Sequence, residues 1–230
     1  MKRYICVILS MVFCMTLAGC PGQNSPETPQ AESILDQFEL TFDEKAGGYC
    51  IVKADVNIQG EIVIPELYNG KPVIRITERA FYDCKNMTGI ALPDSITNIG
   101  ASAFRGCSGL TKISLPDSLE AISADCFHGC TNLKFVDIPL GVQQISERAF
   151  YECESLTDVG LPESLKKIDS SAFRRCNNLT EVRIPLSVER IGEHAFYDCK
   201  KIVVYCKAEK RPQSWAENWI ESGRTVYWGI

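Results

Sequence analysis

The pentapeptide Cys-Phe-His-Gly-Cys at residues 126–130 sets two thiols and an imidazole close together in the chain. Thiolates and imidazoles are zinc ligands, and a thiol beside an imidazole is the pairing of a cysteine nucleophile. A zinc site built this way asks for about four ligands, yet the chain has two histidines in all, and the other, His194, lies some three repeats further on. Other catalytic signatures are missing too: no Gly-rich phosphate loop, no G-x-S-x-G elbow, no HExxH and no pair of carboxylates that stands out from its surroundings. The sequence therefore predicts no enzyme, no metal and no cofactor. What Cys126, His128 and Cys130 do depends on the pattern that contains them.

That pattern is a repeat. Phe81, Phe104, Phe127, Phe150, Phe173 and Phe196 are 23 residues apart, and so are Cys84, Cys107, Cys130, Cys153, Cys176 and Cys199. Ile76 to Ile191, Met87 to Ile202 and Pro93 to Pro185 keep the same beat. A fixed period with several apolar positions per copy marks a solenoid, whose coils bury their apolar face only against each other. Within a coil, LTEVRIP at 179–185 alternates, placing Val182 and Ile184 on one face and Glu181 and Arg183 on the other. Period 2 means one short strand per coil, and stacked coils set these strands side by side at ~4.8 Å in a parallel sheet. The remaining segment, SVERIGEHAFYDC, turns the chain back, with Val188 and Ile191 expected in a second short strand and AFYDC in a helical turn whose Phe and Cys point inward.

The coil resembles the leucine-rich repeat of the BspA type, also called the Treponema pallidum type, with its LxxIxLPxxVxxIGxxAFxxCxx phrase, over residues 62 to about 206. The resemblance implies a leucine-rich-repeat solenoid and surface exposure, and in several family members adhesion to host or partner-cell proteins. It implies no catalytic residues.

Two details follow from placing CFHGC on this coil. Cys126 takes the position held by alanine in the other coils, and the period turns Cys130 inward. Equivalent cysteines in stacked coils point in parallel, which is poor geometry for a disulfide, whereas a free thiol packs as a small buried hydrophobe. The six ladder cysteines are read as structural. Acidic residues just before the ladder cysteine, such as Asp83, Glu152 and Asp198, are read as a solvated row on a turn.

The ends read as caps. Over residues 34–75, FELTF, YCIVKA and EIVIP are expected as strands of a β-hairpin N-terminal cap, with YNGK as a tight hairpin turn. Pro65 falls five residues early against the regular beat, which marks this hairpin as an insertion. The repeats proper span 76–201. In the C-terminal cap, 202–230, IVVYC is a strand, and SWAENWIESG, with Ser214 and Glu217 as a capping box and Gly223 as a stop, predicts a helix before the strand TVYWGI. Trp215 and Trp219 are either a lid on the last coil or an aromatic platform for sugars. The expected fold is thus a β-rich parallel-strand solenoid with short helical turns, a hairpin N-cap and a strand-helix-strand C-cap.

The first residues say where the chain works. Lys2 and Arg3 precede an apolar run too short to span a bilayer, the pattern of a secretory signal over residues 1–19. Leu17, Ala18, Gly19 and Cys20 resemble the lipobox of bacterial lipoproteins, which implies cleavage before Cys20 and lipid on its sulfur. Residues 20–33, rich in Pro, Ser, Gln and Glu, read as a lipidated cysteine and flexible tether. Without the leader the chain carries 22 Lys and Arg against 29 Asp and Glu, which argues against nucleic acid. An extracytoplasmic lipoprotein, probed from outside by a protein or glycan partner, is the expectation.

The outward strand positions are then the candidate contact surface, since a curved solenoid offers that sheet as a broad patch. Lys112, Phe135, Asp137, Asp158, Glu181 and Arg183 vary there while the core positions repeat. Phe135 serves either as an interface anchor or as packing against neighbouring strand residues. The competing functions are a surface recognition module and a spacer lipoprotein without a dedicated ligand.

Overall fold

The computed structural model describes residues 34 and 36–230. The leader, the lipidation residue Cys20 and the tether lie outside the described residues. The first strands among the described residues are β1 (Phe38–Asp43) and β2 (Gly48–Ala54), followed by β3 (Gly60–Val63), β4 (Leu67–Tyr68) and β5 (Lys71–Ile76). From there a longer and a two-residue strand alternate: β6 (Met87–Ala91), β7 (Asn98–Ile99), β8 (Lys112–Ser114), β9 (Ala121–Ile122), β10 (Phe135–Asp137), β11 (Gln144–Ile145), β12 (Asp158–Gly160), β13 (Lys167–Ile168), β14 (Glu181–Ile184) and β15 (Arg190–Ile191). Two longer strands, β16 (Val203–Cys206) and β17 (Thr225–Trp228), end it.

Successive coils pair in parallel with a register of one repeat, as in Gly89↔Lys112 and Phe135↔Asp158 on the long-strand side and Ile145↔Ile168 on the short-strand side. The product is a parallel-strand solenoid with two strand faces and a turn flank. Strand alternation decides what is buried: in β14 Val182 and Ile184 are inside, Arg183 outside and Glu181 at the rim.

The flank carries the most regular packing. The six repeat phenylalanines are fully buried and stack ring on ring, with centroids 5.1–5.5 Å apart in successive coils. Each Phe amide donates to a backbone carbonyl of the next coil, as in Phe104 N to Cys126 O and Phe127 N to Ala149 O. Each ladder cysteine from Cys107 to Cys199 donates its S–H backwards to the Phe carbonyl of the preceding coil at 3.0–3.2 Å, Cys130 to Phe104 among them. A hydroxyl would donate as well but costs more to bury, and alanine would donate nothing. Cysteine suits a position that is both dry and in need of one donor. All nine described cysteines are free thiols.

The AF segment is not helical. Its i→i+3 backbone bonds, such as Arg105 N to Ser102 O and Cys107 N to Phe104 O, are interrupted by two left-handed positions per coil. Arg79, Ser102, Asp125, Arg148, Ser171 and His194 have φ of 52–58°, and Asp83, Gly106, Gly129, Glu152, Arg175 and Asp198 have φ of 59–75°. A right-handed helix cannot propagate through such residues. The second strand of a coil is also shorter than expected: Val188 is buried in a turn, its amide bonded to Pro185 O, and only Arg190–Ile191 pair.

Both ends depart from the expected elements. β1 and β2 form an antiparallel hairpin, but β2 pairs in parallel with β5 and β3 with β6, so EIVIP is a strand of the solenoid's long face. The five-residue insertion is the β4–β5 hairpin, turned by Asn69 and Gly70 at positive φ. The C-terminal helix is absent. SWAENWI runs as a further degenerate coil, bonding Phe196 N to Trp219 O and bridging Phe196 with Ile220 in parallel. Ser214 Oγ donates to the carbonyl of Glu189 and caps no helix. Trp215 and Trp219 are buried, with Trp219 edge-on to Phe196 at 5.9 Å, so they close the end of the phenylalanine stack and are closed to sugars.

Burial pushes the thiol of Cys84 up to about 11, with Asp55 and Asp83 adding to it, and that of Cys206 up to about 12. The thiols of Cys107, Cys126, Cys130, Cys153 and Cys176 are driven higher still, desolvation leading in every case. The folded state therefore holds these protons above about pH 8.5, where the unfolded chain releases them. Stability is full below that pH and falls as pH rises. Melting temperatures measured between about pH 8 and pH 10 check the slope, which a Cys153→Ala variant should reduce. At the left-handed position Arg148, Arg148→Gly should stabilise the fold by about 1 kcal/mol in thermal denaturation.

Candidate functional site

Two rows of side chains leave the long-strand face. Paired strands align Glu61, Gly89 and Lys112, then Phe135 and Asp158, then Glu181, Val203 and Thr225 in one row. The other row aligns Val63, Ala91 and Ser114, then Asp137 and Gly160, then Arg183, Tyr205 and Tyr227. The next residues inward, Ile90, Ile113, Val136, Val159, Val182 and Val204, are all buried. Core packing dictates the inward set and leaves the outward set to chemistry.

The structure divides the six candidate residues. Lys112 reaches back over Gly89 to Glu61, with Nζ 2.8 Å from Oε1, away from the rest of the patch. Phe135 is 52% exposed, and its row neighbours Lys112 and Asp158 are both charged, so it stands as a lone ring among charges. Glu181 and Arg183 pair on their own strand at 2.7 Å. The Arg183 guanidinium also lies 4.7 Å from the centre of the Tyr205 ring, which stacks on Tyr227 at 5.2 Å. Asp158, Glu181 and Arg183 come together around a hollow of about 450 Å³, also lined by Gly160, Glu163 and Lys207. Gly160 is its floor: a Cβ built there would meet nothing within 4 Å. Asp137 is the strand partner of Gly160 but does not itself line the hollow.

The CFHGC residues part company. Cys126 and Cys130 are buried in the core, whereas His128 sits on the flank with Nδ1 2.6 Å from Asp125 Oδ1 and its ring edge-on to Tyr151. Among the described residues no group of three His, Cys, Asp or Glu side chains is placed to hold a metal ion. The acidic row before the ladder cysteines is more structured than a solvated row: Glu152 takes Arg175 at 2.7 Å, and Arg175 also reaches Asp198 at 3.6 Å.

Residues 74–203 match the BspA-type leucine-rich-repeat region in six copies. The chain belongs to that family. Among solved structures it is similar to a leucine-rich-repeat protein of T. pallidum, at 32% identity and a TM-score of 0.70, over 84% of each chain. It is also similar to a leucine-rich cell-surface protein of Faecalibacterium prausnitzii, at 27% identity and a TM-score of 0.59, over 79% of this chain and 55% of that one. A leucine-rich-repeat protein of Eubacterium ventriosum, at 21% identity, a TM-score of 0.55 and coverage of 76% and 50%, shares the fold. No curated protein matches the chain.

In this BspA-type coil the phrase after the last cysteine still carries a long-face strand. The sequence-based boundary at residue 201 placed IVVYC and TVYWGI in a cap, and so missed Tyr205 and Tyr227 as surface residues. The available signal was the alternation of Val204 and Cys206, inward, with Tyr205, outward, which continues that of Val182, Arg183 and Ile184. Gly160 is outward by the same alternation, but its value lies in an absent side chain, which only its neighbours define.

Exposure separates the two kinds of phenylalanine. Phe135→Ala should change stability by no more than about 0.5 kcal/mol, whereas Phe127→Ala, inside the stack, should cost about 3–5 kcal/mol. Chemical denaturation of both variants checks the contrast.

Proposed function

We propose that this protein is an exported, lipid-anchored, non-enzymatic recognition module that holds an extracellular protein or glycan partner on its long-strand face. The observation that carries the reading is the split on that face: every inward position serves the core, while the outward rows combine a tyrosine pair, ion pairs and a hollow of about 450 Å³; Phe135, isolated among charges, weighs against rather than for it. That volume falls within the ~300–1,000 Å³ usual for ligand sites. Aromatic and arginine side chains, which dominate interface energetics, occur there together in Arg183, Tyr205 and Tyr227. Membership of the BspA-type family and the cell-surface description of the F. prausnitzii relative support a surface location. Lys2, Arg3, the apolar run and the Leu-Ala-Gly-Cys ending at Cys20 support export and an acyl anchor.

Two experiments test it. A Cys20→Ser change should move the protein from the membrane fraction to the soluble extracytoplasmic fraction. The full chain, purified in detergent micelles, should bind members of a panel of extracellular-matrix proteins, mucins and glycans. Replacing Phe135, Glu181, Arg183 and Tyr227 by alanine should weaken that binding at least about tenfold without lowering the melting temperature. Binding that survives these changes would move the contact to another surface, and none across the panel would move the assignment to a spacer lipoprotein.

A further inference from the structure

The charge arrangement on the long-strand face is asymmetric. Three of its cations are already neutralised: Lys112 pairs with Glu61, Arg183 with Glu181 and Lys207 with Glu163, while Lys134, just before β10, is exposed and outside the hollow. Arg183 is further held over the Tyr205 ring. Two carboxylates are left. Asp137 and Asp158 are exposed, and among the described residues neither enters an ion pair or accepts a side-chain hydrogen bond. They flank one place, since Asp158 lines the hollow and Asp137 is the strand partner of its glycine floor. The lining itself carries three carboxylates, Asp158, Glu163 and Glu181, against two cations. Phe135, the strand partner of Asp158, adds an apolar ring beside the free carboxylate.

We propose that the hollow over Gly160 receives a lysine or arginine side chain from an extended segment of a partner protein. A long basic side chain has an apolar stem and a charged head, and the site offers each a counterpart. Leu161 and the floor at Gly160 take the stem, and Asp158 takes the charge, with Asp137 and Phe135 on the adjoining strand beside it. An acidic or phosphorylated segment meets excess negative charge in the lining of the hollow, whose two cations are both paired. The hollow holds one such side chain with space for ordered water around its head group. The attraction is exposed to solvent, so it directs specificity and encounter and weakens with salt.

This inference rests on the reading of that face as a recognition surface, and the experiment separates the two. Full chain in detergent micelles is titrated with fluorescein-labelled Gly/Ser peptides carrying either arginine or its neutral isostere citrulline, and fluorescence anisotropy is read. The arginine peptide should bind and the citrulline peptide should not, with affinity falling as ionic strength rises. Combined Asp137→Asn and Asp158→Asn changes should weaken binding about tenfold. Gly160→Leu, which fills the hollow and has room for its Cβ, should abolish it. Asp117→Asn, an exposed carboxylate that does not line the hollow, serves as the charge control and should change nothing. Melting temperatures confirm that all variants fold.

Equal binding of the citrulline peptide, or an equal loss in Asp117→Asn, overturns the proposal. So does binding of chito-oligosaccharides that is lost in Tyr227→Ala and kept in the double Asn variant, which would assign the face to a glycan. If the arginine peptide fails while a panel protein still binds the face, the basic-side-chain inference falls and the recognition reading stands. If both fail, both fall.

Discussion

Every other part of this molecule depends on the backbone carbonyl of the repeat phenylalanine. It accepts the amide of the cysteine three residues on in its own coil, closing the turn, and the thiol of the cysteine one coil further along, tying the coils together. The same residue's ring stacks on its counterparts, and its amide donates forward. One position thus fixes the rise, the register and the rotation between coils. Two left-handed residues per coil bend the chain sharply enough to bring that carbonyl and that thiol together. Their conformational cost, about 1 kcal/mol apiece for non-glycine residues, is offset by dispersion and desolvation in a stack with no exposed ring.

Because the stack and the inward strand residues hold the coils without help from the surface, the outward rows are free to differ from coil to coil. The surface chemistry is then local. Lys112 and Glu61 close over Gly89 at one end, Arg183 and Tyr205 organise the other, and the side chain missing at Gly160 opens a hollow between them. Two outward strand glycines, one in each row, have opposite outcomes: Gly89 is buried under its neighbours' side chains, and Gly160 is open. The difference lies in the side chains next door: a long Lys–Glu pair closes over Gly89, whereas Gly160 has a short aspartate on one side and, on the other, an arginine held by Glu181 and Tyr205.

The repeat was legible because solenoid contacts are made between equivalent positions, so a 23-residue period in the sequence is also a contact map. The same logic settled CFHGC: once Cys130 belonged to the ladder, its thiol had to face the core. It failed where the period drifted. At SWAENWIESG, a serine followed three residues later by glutamate and then by glycine reads locally as a capped helix. Yet Trp215, Trp219 and Ile220 serve as the buried residues of one more coil. An unsatisfied coil edge, with carbonyls such as Ile191 O and amides such as Phe196 N to be paired, decided between the two. EIVIP was misplaced at the other end for a similar reason, since the β4–β5 insertion hides its phase.

Alone, the sequence determined the repeat, the inward residues, the family and the set of side chains free to face outward, because each of these follows from spacing along one chain. Only the tertiary structure decided which outward residues meet. Whether Lys112 leans toward Glu61 or toward Phe135, whether Arg183 finds Tyr205, and whether Gly160 is covered are matters of side-chain reach between coils. These are set by lengths and charges of neighbours a repeat away and leave no periodic trace. The same holds for the aspartates left without partners, which are defined by pairings made elsewhere on the face.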